Sequence, residues 1–275
     1  MLKYAAKYQQ DKQSKQTSLF DTEDDAGQNN FALLFPQCEP WNSIEKYRKE
    51  KVVTGFYISG HPLDDYKLEI RSFFKGRTSQ LQDVNVLRKM LDRPIEIAGI
   101  VDDAEVRKTQ KGQDLCKFKL EDYSGIYEFK MYSETASKYK HFCEDNRLVG
   151  ITIRSVLRKV NYPDGSYARA SGNSVSDYDI KVENMRDLVD VLSQEVKSIE
   201  VRVHSVRVDD DFIEEIHQII NQCKEKKTDG VSLKFCIFDY NRGNVTLVVP
   251  FKVNAEKFCQ TYIPKYGMDD ICLQK

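Results

Sequence analysis

The chain has 275 residues, of which 40% are apolar, and its 42 lysines and arginines nearly balance its 43 aspartates and glutamates. This balance excludes a globally basic nucleic-acid-binding protein, so any contact with a polyanion needs a local patch. No apolar run reaches the roughly 18 residues that a membrane-spanning helix needs, and no charged-then-apolar leader follows Met1. We therefore expect a soluble, cytoplasmic protein with one large or two to three small domains.

The cysteine pattern indicates reduced thiols. The seven cysteines, at positions 38, 116, 143, 223, 236, 259 and 272, are odd in number and never spaced Cys-x-x-Cys. Most lie among apolar neighbours, which is typical of core thiols in a cytoplasmic protein. The four histidines offer no paired ligands at short spacing, so the pattern predicts no structural metal.

Residues 1–42 carry few periodic apolar positions and are predicted to form a flexible linker. Within it, the segment Gln16–Phe20 places two apolar residues, Leu19 and Phe20, in polar surroundings without a local core. Composition alone leaves two interpretations open. The segment is a docking peptide, or it is a short helix that packs back on its own domain. Trp41 is expected to anchor the linker by packing.

Residues 43–90 are predicted to form a helix-turn-helix linker subdomain. Ser43 suits an N-cap, and the apolar positions after it indicate a helix that ends just before His61. A second helix begins at Pro62 and presents one apolar stripe as far as Phe74. His61 is expected to be a buried turn residue that bonds nearby backbone, rather than a catalytic or metal-binding group.

Residues 91–190 change to the period of strands. In residues 116–120 apolar side chains point inward and two lysines, Lys117 and Lys119, point outward. Residues 107–112 are expected to form a hairpin loop. Strands are predicted near residues 95–101, 116–120, 127–131 and 148–156 and within 167–182, with a helix over 134–143. Three strands, a helix and two more strands are the order of the OB-fold, a five-stranded Greek-key barrel.

Residues 195–275 are predicted to form a small α+β domain. Its expected elements are a strand over 199–203, a helix over 209–227, a hairpin of residues 232–238 and 245–249, and a helix over 254–262. The predicted fold class is therefore mainly β with α+β: an OB barrel between a helical linker region and this C-terminal domain.

Residues 54–66, with the run Gly-Phe-Tyr-Ile-Ser-Gly-His-Pro-Leu from Gly55, resemble the alpha-subunit family of bacterial DNA polymerase III. Similar segments follow in the family's order at 99–101, 107–112 and 120–125. The resemblance covers nearly the whole chain, most strongly residues 16 to 160. It implies the C-terminal, non-catalytic part of a replicative DNA-directed DNA polymerase. Such a nucleotidyltransferase would use Mg²⁺ elsewhere, with no cofactor in this chain.

The resemblance also implies partners. The family carries a peptide of the form Gln-x-x-Leu/Met-Phe ahead of this region, and Gln16, Leu19 and Phe20 match it. Docking on the sliding clamp, the beta subunit, would place Leu19 and Phe20 in a hydrophobic pocket and Gln16 at its rim. The last domain resembles, more loosely, the region that meets the clamp-loader tau subunit.

An OB barrel offers the face of its second and third strands to single-stranded DNA, using cations and stacking aromatics. Residues 94–185 hold 14 lysines and arginines against 15 acids, so binding to template DNA should be weak and salt-sensitive. For each of these cations, a solvated position on the sheet surface explains the pattern as well as a contact with DNA does. The candidate contacts are Arg107, Lys108, Lys111, Lys117, Lys119, Lys130, Tyr132, Arg154, Arg158 and Lys159.

No catalytic residue is predicted. The acidic pairs at 24–25, 64–65, 102–103 and 269–270 lie in the linker, at helix starts or in turns, where acids serve capping and solvation. A two-metal polymerase centre needs a far larger assembly. Two alternatives are a free-standing OB-fold single-stranded nucleic-acid-binding protein and an enzyme complete in itself. The first of these would need a basic barrel and outward-facing aromatic side chains.

Overall fold

A computed structural model describes residues 39–110, 112–161, 167–225, 230–241 and 243–275, although not the side chain of residue 161. The chain divides into two compact units, Met1–Glu45 and Lys46–Lys275. The predicted clamp peptide, with Gln16, Leu19 and Phe20, lies outside the described residues, as does Lys111. Trp41, expected to pack, has a side chain that is 56% exposed.

The chain is a mixed α/β protein. Its α-helices are α1 Ser43–Thr54, α2 Lys67–Phe73, α3 Val84–Lys89, α4 Ser133–Tyr139, α5 Leu188–Gln194, α6 Asp210–Cys223 and α7 Ala255–Tyr266. Its strands are β1 Ile95–Lys108, β2 Asp114–Asp122, β3 Gly125–Tyr132, β4 Leu148–Leu157, β5 Lys159–Asn161, β6 Tyr167–Arg169, β7 Tyr178–Asp187, β8 Ser198–His204, β9 Ser232–Asp239, β10 Gly243–Val248 and β11 Ile271–Gln274. Short 3₁₀ helices span Pro62–Tyr66, Thr78–Gln82, Lys140–Phe142, Val175–Asp177 and Ser205–Arg207.

The first sheet has five antiparallel strands in the order β3-β2-β1-β4-β7. Its edge strands β3 and β7 approach within 8 Å between Cα atoms. The inward direction of Cys116, Phe118 and Leu120, which are all 0% exposed, is confirmed. These side chains pack in one core with residues of β1, β3, β4 and α4, because every second residue of each strand faces the same side.

The second sheet has the order β10-β9-β8-β11, and only its β8–β9 pair is parallel among the described strands. Helices α6 and α7 supply apolar side chains to a second core beneath it. Leu68 and Phe73 of α2 join this second core, although they precede the first sheet in sequence. Arg71 of α2 also donates to the carbonyl of Ile271 at 2.9 Å, which fixes α2 beside β11.

Two segments that carry the polymerase resemblance contact each other. The backbone N–H of Leu63 donates to His61 Nδ1 at 3.2 Å, so His61 caps the 3₁₀ helix that follows, as predicted for a turn histidine. The ring of Tyr123, in the β2–β3 turn, lies 4.5 Å from the His61 ring. The Tyr123 hydroxyl donates to Asp64 at 2.8 Å. His61 is half-buried rather than buried, and this burial lowers its pKa.

Several predicted element ends were wrong. Helix α1 stops at Thr54 because Gly55, with φ +86°, donates its N–H to the Lys51 carbonyl and turns the chain away. The helix predicted from Pro62 begins as a 3₁₀ segment and becomes α-helical only at Lys67. Arg107 and Lys108 belong to β1 instead of a loop, because they pair with Leu115 and Asp114 of β2.

The last elements also differ. Helix α4 ends at Tyr139, and a 3₁₀ turn takes residues 140–142 of the longer helix that was predicted. Helix α6 ends at Cys223, short of residue 227. The strand expected within residues 167–182 is two strands, β6 and β7, and β11 was not expected.

The six cysteines of the described ranges are free, and four of them are buried. Burial raises the pKa of the Cys143 thiol, and likewise that of Cys259, to about 12. Such thiols remain protonated and unreactive at neutral pH. Within the described residues, no helix is both long and apolar enough to cross a membrane.

Candidate nucleic-acid interface

One group of candidate residues meets on the outer face of β1, β2 and β3. Strand register aligns Glu105, Lys117 and Lys130 in one row across the three strands. Arg107 and Tyr132 stand in the neighbouring row, on either side of Leu115, because each is two residues along its strand. The two rows line a shallow groove of about 280 Å³. We call this surface the three-strand face.

Carboxylates neutralise most of the charge on the three-strand face. Glu128 lies 3.0 Å from both Lys117 and Lys130, and its hydrogen bonds with them lower the pKa of that carboxyl. Lys119 lies 2.8 Å from Asp103, whose hydrogen bond raises the pKa of the lysine. Arg107 pairs with Glu105. Lys108 is exposed at the end of β1. This face therefore offers a phosphate little net charge.

A second group surrounds the opening between the edge strands β3 and β7. This cleft has a volume of about 660 Å³ and is lined on one side by Lys130 and Tyr132 and on the other by Arg158 and Lys181. Tyr127 and Tyr178 also line the cleft, and burial raises the pKa of the Tyr127 phenol. Tyr132 is 57% exposed, so its ring is available for stacking.

A groove of about 710 Å³ beside β4, β5 and β6 adjoins the cleft, since Arg158 and Lys181 line both. The other cations of this groove are Arg154, Lys159 and Arg169. Together, the cleft and groove collect six cations against the three carboxylates Asp92, Glu128 and Asp179. We name the cleft and the groove together the edge-strand channel, and its lining is locally basic although residues 94–185 are nearly neutral.

Several cations of the edge-strand channel have partners within the protein. Arg154 binds Glu183, and Arg158 lies 2.9 Å from Asp179. The ammonium of Lys159 lies 5.0 Å from the ring centroid of Tyr167, a cation–π contact. Tyr167 is 64% exposed and extends the aromatic surface next to the groove.

Sequence reasoning predicted Tyr132 but missed Lys181 and Arg169, as well as Tyr127 and Tyr178 of the cleft. The last strand had been placed only within a range of sixteen residues, so the direction of its side chains was undefined. Alternation of Tyr178, Ile180 and Val182 with charged residues was the available signal, and it marks Lys181 as outward. Arg169 offered no such signal, since β6 has only three residues.

The acidic pair at 24–25 lies outside the described residues, and each of the other three pairs has a structural partner. Asp103 pairs with Lys119 at 2.8 Å. Asp64 accepts the backbone N–H of His61 at 2.8 Å within a capping box. Asp269 and Asp270 pair with Arg71 and Arg207 at 2.9 and 2.7 Å. No group of three or more potential metal ligands occurs in the part of the chain that the structure describes.

Comparison with known proteins gives the following similarities. No family model matches the chain. DNA polymerase III subunit alpha of Borreliella burgdorferi is 27% identical over 154 residues, which cover 54% of this chain and 13% of that protein. The Caulobacter vibrioides protein of the same name is 26% identical over 185 residues, or 67% of this chain and 15% of that protein. The Aquifex aeolicus protein of that name is 30% identical over 111 residues, or 40% and 9%.

Among solved structures, a replication protein A heterotrimer bound to single-stranded DNA matches 64% of this chain and 42% of that chain. Its sequence identity is 13% and its TM-score 0.20. The chain thus spans less than a sixth of the length of the curated relatives it matches. Similarity to several of these subunits over partial regions confirms the predicted resemblance: this chain is related to the alpha subunit of bacterial DNA polymerase III and is consistent with its C-terminal region.

Proposed function

We propose that this chain is a non-catalytic, C-terminal part of a replicative polymerase alpha subunit that positions single-stranded template DNA and tethers the polymerase to its sliding clamp. The observation that carries the proposal is the similarity to DNA polymerase III alpha subunits, joined to a locally basic channel with exposed tyrosines. Replication in the cytoplasm and partnership with the tau subunit through residues 195–275 belong to the same proposal.

We infer that the five-stranded sheet is an OB barrel. The order β3-β2-β1-β4-β7 becomes a closed ring when β3 meets β7, and these edge strands are the ones that approach each other. Along the chain, helix α4 lies between β3 and β4, the third and fourth strands in sequence, where an OB-fold carries its helix. The short β5–β6 hairpin then lies in the loop between the last two strands.

The edge-strand channel suits a single strand better than the three-strand face does. A single strand needs cations along its backbone and aromatic faces for its bases. The channel supplies both, with Arg158 and Lys181 between the two grooves and Tyr132 exposed at the cleft. The lysines of the three-strand face pair with Glu128 and Asp103. Arg158 of the channel also pairs with Asp179, but twice as many cations as carboxylates line the channel. The proposed path of template DNA is therefore the channel.

Fluorescence anisotropy with labelled oligo-dT tests the DNA-binding part. At low salt, about 50 mM, we expect weak binding with Kd above about 1 μM, which falls steeply as salt rises. Replacing Arg158 and Lys181 together by alanine should weaken it at least about threefold, because two phosphate contacts are lost. The matched control replaces two lysines of α7, Lys257 and Lys265, and should leave affinity unchanged. Absence of binding at low salt refutes this part. Nanomolar binding would favour the free-standing single-stranded-DNA-binding protein.

The clamp-tether part rests on the match of Gln16, Leu19 and Phe20 to the family's docking peptide. Exchange of Leu19 and Phe20 for alanine should abolish binding to the purified sliding clamp in a titration, because two anchor side chains are removed. Circular dichroism should be unaltered. Exchanging Thr17 and Ser18 instead is the control and should change affinity little. If the variant with both Leu19 and Phe20 exchanged binds the clamp as tightly as the natural chain, the tether assignment is wrong.

A further inference from the structure

A cavity of about 600 Å³ lies among α2, α5 and α7, on the side of the molecule's second core. Its walls are largely apolar, with Leu192 from α5 and Ile263 and Pro264 from α7. Val189, also in the wall, is 65% exposed. None of the candidate DNA contacts that the structure describes lines this cavity, so it is separate from the edge-strand channel.

A buried carboxylate lines the cavity without a partner. Glu69 of α2 is 4% exposed, and its carboxylate makes no hydrogen bond or ion pair to any other described residue. Burial raises the pKa of this carboxyl to about 7, and only its own backbone N–H opposes that rise. A carboxylate left unpaired away from water is costly, which is why buried acids are nearly always paired or bonded.

The rim of the cavity is acidic as well. Asp65, Asp190 and Glu256 line it on three different elements and are exposed to solvent. No lysine or arginine stands among the described lining residues. Four carboxylates without a cation, around an apolar wall, form a surface complementary to a positive charge carried on an apolar stem.

We propose that this cavity binds a lysine or arginine side chain presented by an apolar peptide segment of a partner protein. The cationic head reaches Glu69, the methylene stem packs on Leu192 and Ile263, and the rim carboxylates attract the approaching segment. A purely apolar occupant would leave Glu69 unpaired. A metal ion would need several ligands, and the described residues hold no such group at this place.

The geometry also limits the length of the bound segment. A cavity of about 600 Å³ accommodates a few side chains. It therefore has room for one cationic side chain and its apolar neighbours, but not for a long helix. The partner surface is therefore a short linear segment. This inference does not depend on the proposed DNA or clamp contacts.

Isothermal titration calorimetry on the whole chain tests the proposal. The probe is the peptide acetyl-Ser-Leu-Lys-Leu-Ser-amide, with two companions in which norleucine or glutamate replaces the lysine. We expect the lysine peptide to bind, and the norleucine peptide, which keeps the stem and lacks the charge, to bind at least about tenfold more weakly. The glutamate peptide should not bind. Glu69→Gln should weaken binding of the lysine peptide at least about tenfold.

Two further variants make the result decisive. Asp190→Asn changes only an exposed rim group and should weaken the lysine peptide about twofold, with no effect on the norleucine peptide. Glu214→Gln, an exposed glutamate on α6 outside the cavity, should leave all affinities unchanged. The proposal is overturned if no peptide binds, if norleucine equals lysine, or if Glu69→Gln binds the lysine peptide as the natural chain does while its circular dichroism is native.

Discussion

The guanidinium of Arg158 lies 2.9 Å from the carboxylate of Asp179, on the wall that the two parts of the edge-strand channel share. Both side chains are about half exposed, at 51% and 50%, so their pairing adds little to stability. Its effect falls on the charge of the channel instead. Asp179 competes with any phosphate for Arg158, the cation that lines both parts of the proposed DNA path.

Removing this competitor should therefore strengthen DNA binding. Asp179→Asn keeps the shape of the side chain, deletes one negative charge and leaves Arg158 available to phosphate. We expect affinity for labelled oligo-dT to rise about two- to fivefold at low salt, with a steeper salt dependence. Anisotropy titrations at several salt concentrations measure both effects. Glu214→Gln, which removes a charge from a residue of α6 that lines neither the cleft nor the groove, is the control. Equal affinities of the two variants would contradict the assignment of the channel.

Asp122 organises the contact between the β2–β3 turn and the segment that precedes α3. It accepts hydrogen bonds from the backbone N–H and hydroxyl of Thr78, at 2.7 and 2.6 Å, and from Ser124 N–H at 2.7 Å. Burial alone would raise the pKa of this carboxyl, but the hydrogen bonds from Thr78 and Ser124 lower it overall. The contribution of Asp122 to stability is thus present above its ordinary pKa of 3.8 and lost as the pH falls below that value.

We expect Asp122→Ala to lower the free energy of unfolding by about 2–4 kcal/mol at neutral pH, because several donors near a buried threonine lose their acceptor. Urea unfolding monitored by circular dichroism measures this difference, which should shrink on acidification to about pH 3. Asp269→Ala, which changes an acid with a 95% exposed side chain, should cost less than about 1 kcal/mol. A constant difference from neutral to acidic pH would argue against a charged Asp122 as the organising group.

Glu69 should have the opposite pH dependence. Its pKa is raised from 4.5 to about 7 in the folded chain. The protonated carboxyl therefore contributes fully to folding stability below pH 4.5, and this contribution is lost as the pH rises through 7. Glu69→Gln removes the charge that must otherwise be buried. We expect the variant to be more stable than the natural chain by about 3 kcal/mol at about pH 8, and to equal it near pH 4. Urea titrations across this range test it, and a glutamine variant that is less stable at alkaline pH would contradict the burial argument.

Local patterns were enough to predict many elements. Strict alternation in residues 116–120 fixed which face of β2 is buried, since a one-residue shift would have placed Lys117 and Lys119 in the core. The turn role of His61 followed from the proline after it. Acid at the start of α6 similarly marked its beginning near Asp209, whose side chain accepts the N–H of Phe212 at 2.8 Å.

The channel and the acidic cavity could not be predicted in the same way. Arg158 and Asp179 meet because β4 pairs with β7 across the intervening β5–β6 hairpin, and no local pattern states that pairing. Glu69 appears in sequence as one more acid in an amphipathic helix. Its burial depends on α5 and α7, which lie more than a hundred residues later and close over it only in the folded chain.

Helix α2 belongs to the second core, whereas the chain on its C-terminal side builds the first sheet before returning at β8. In topological terms the first sheet is an insertion within the second module. A fragment that begins at residue 195 would lack Leu68, Phe73 and the Arg71 bonds to the chain around β11. Folding of the inserted sheet shortens the effective loop between α2 and β8, which lowers the entropy cost of assembling the second core. Transplanting the C-terminal module into another protein therefore requires both of its sequence pieces.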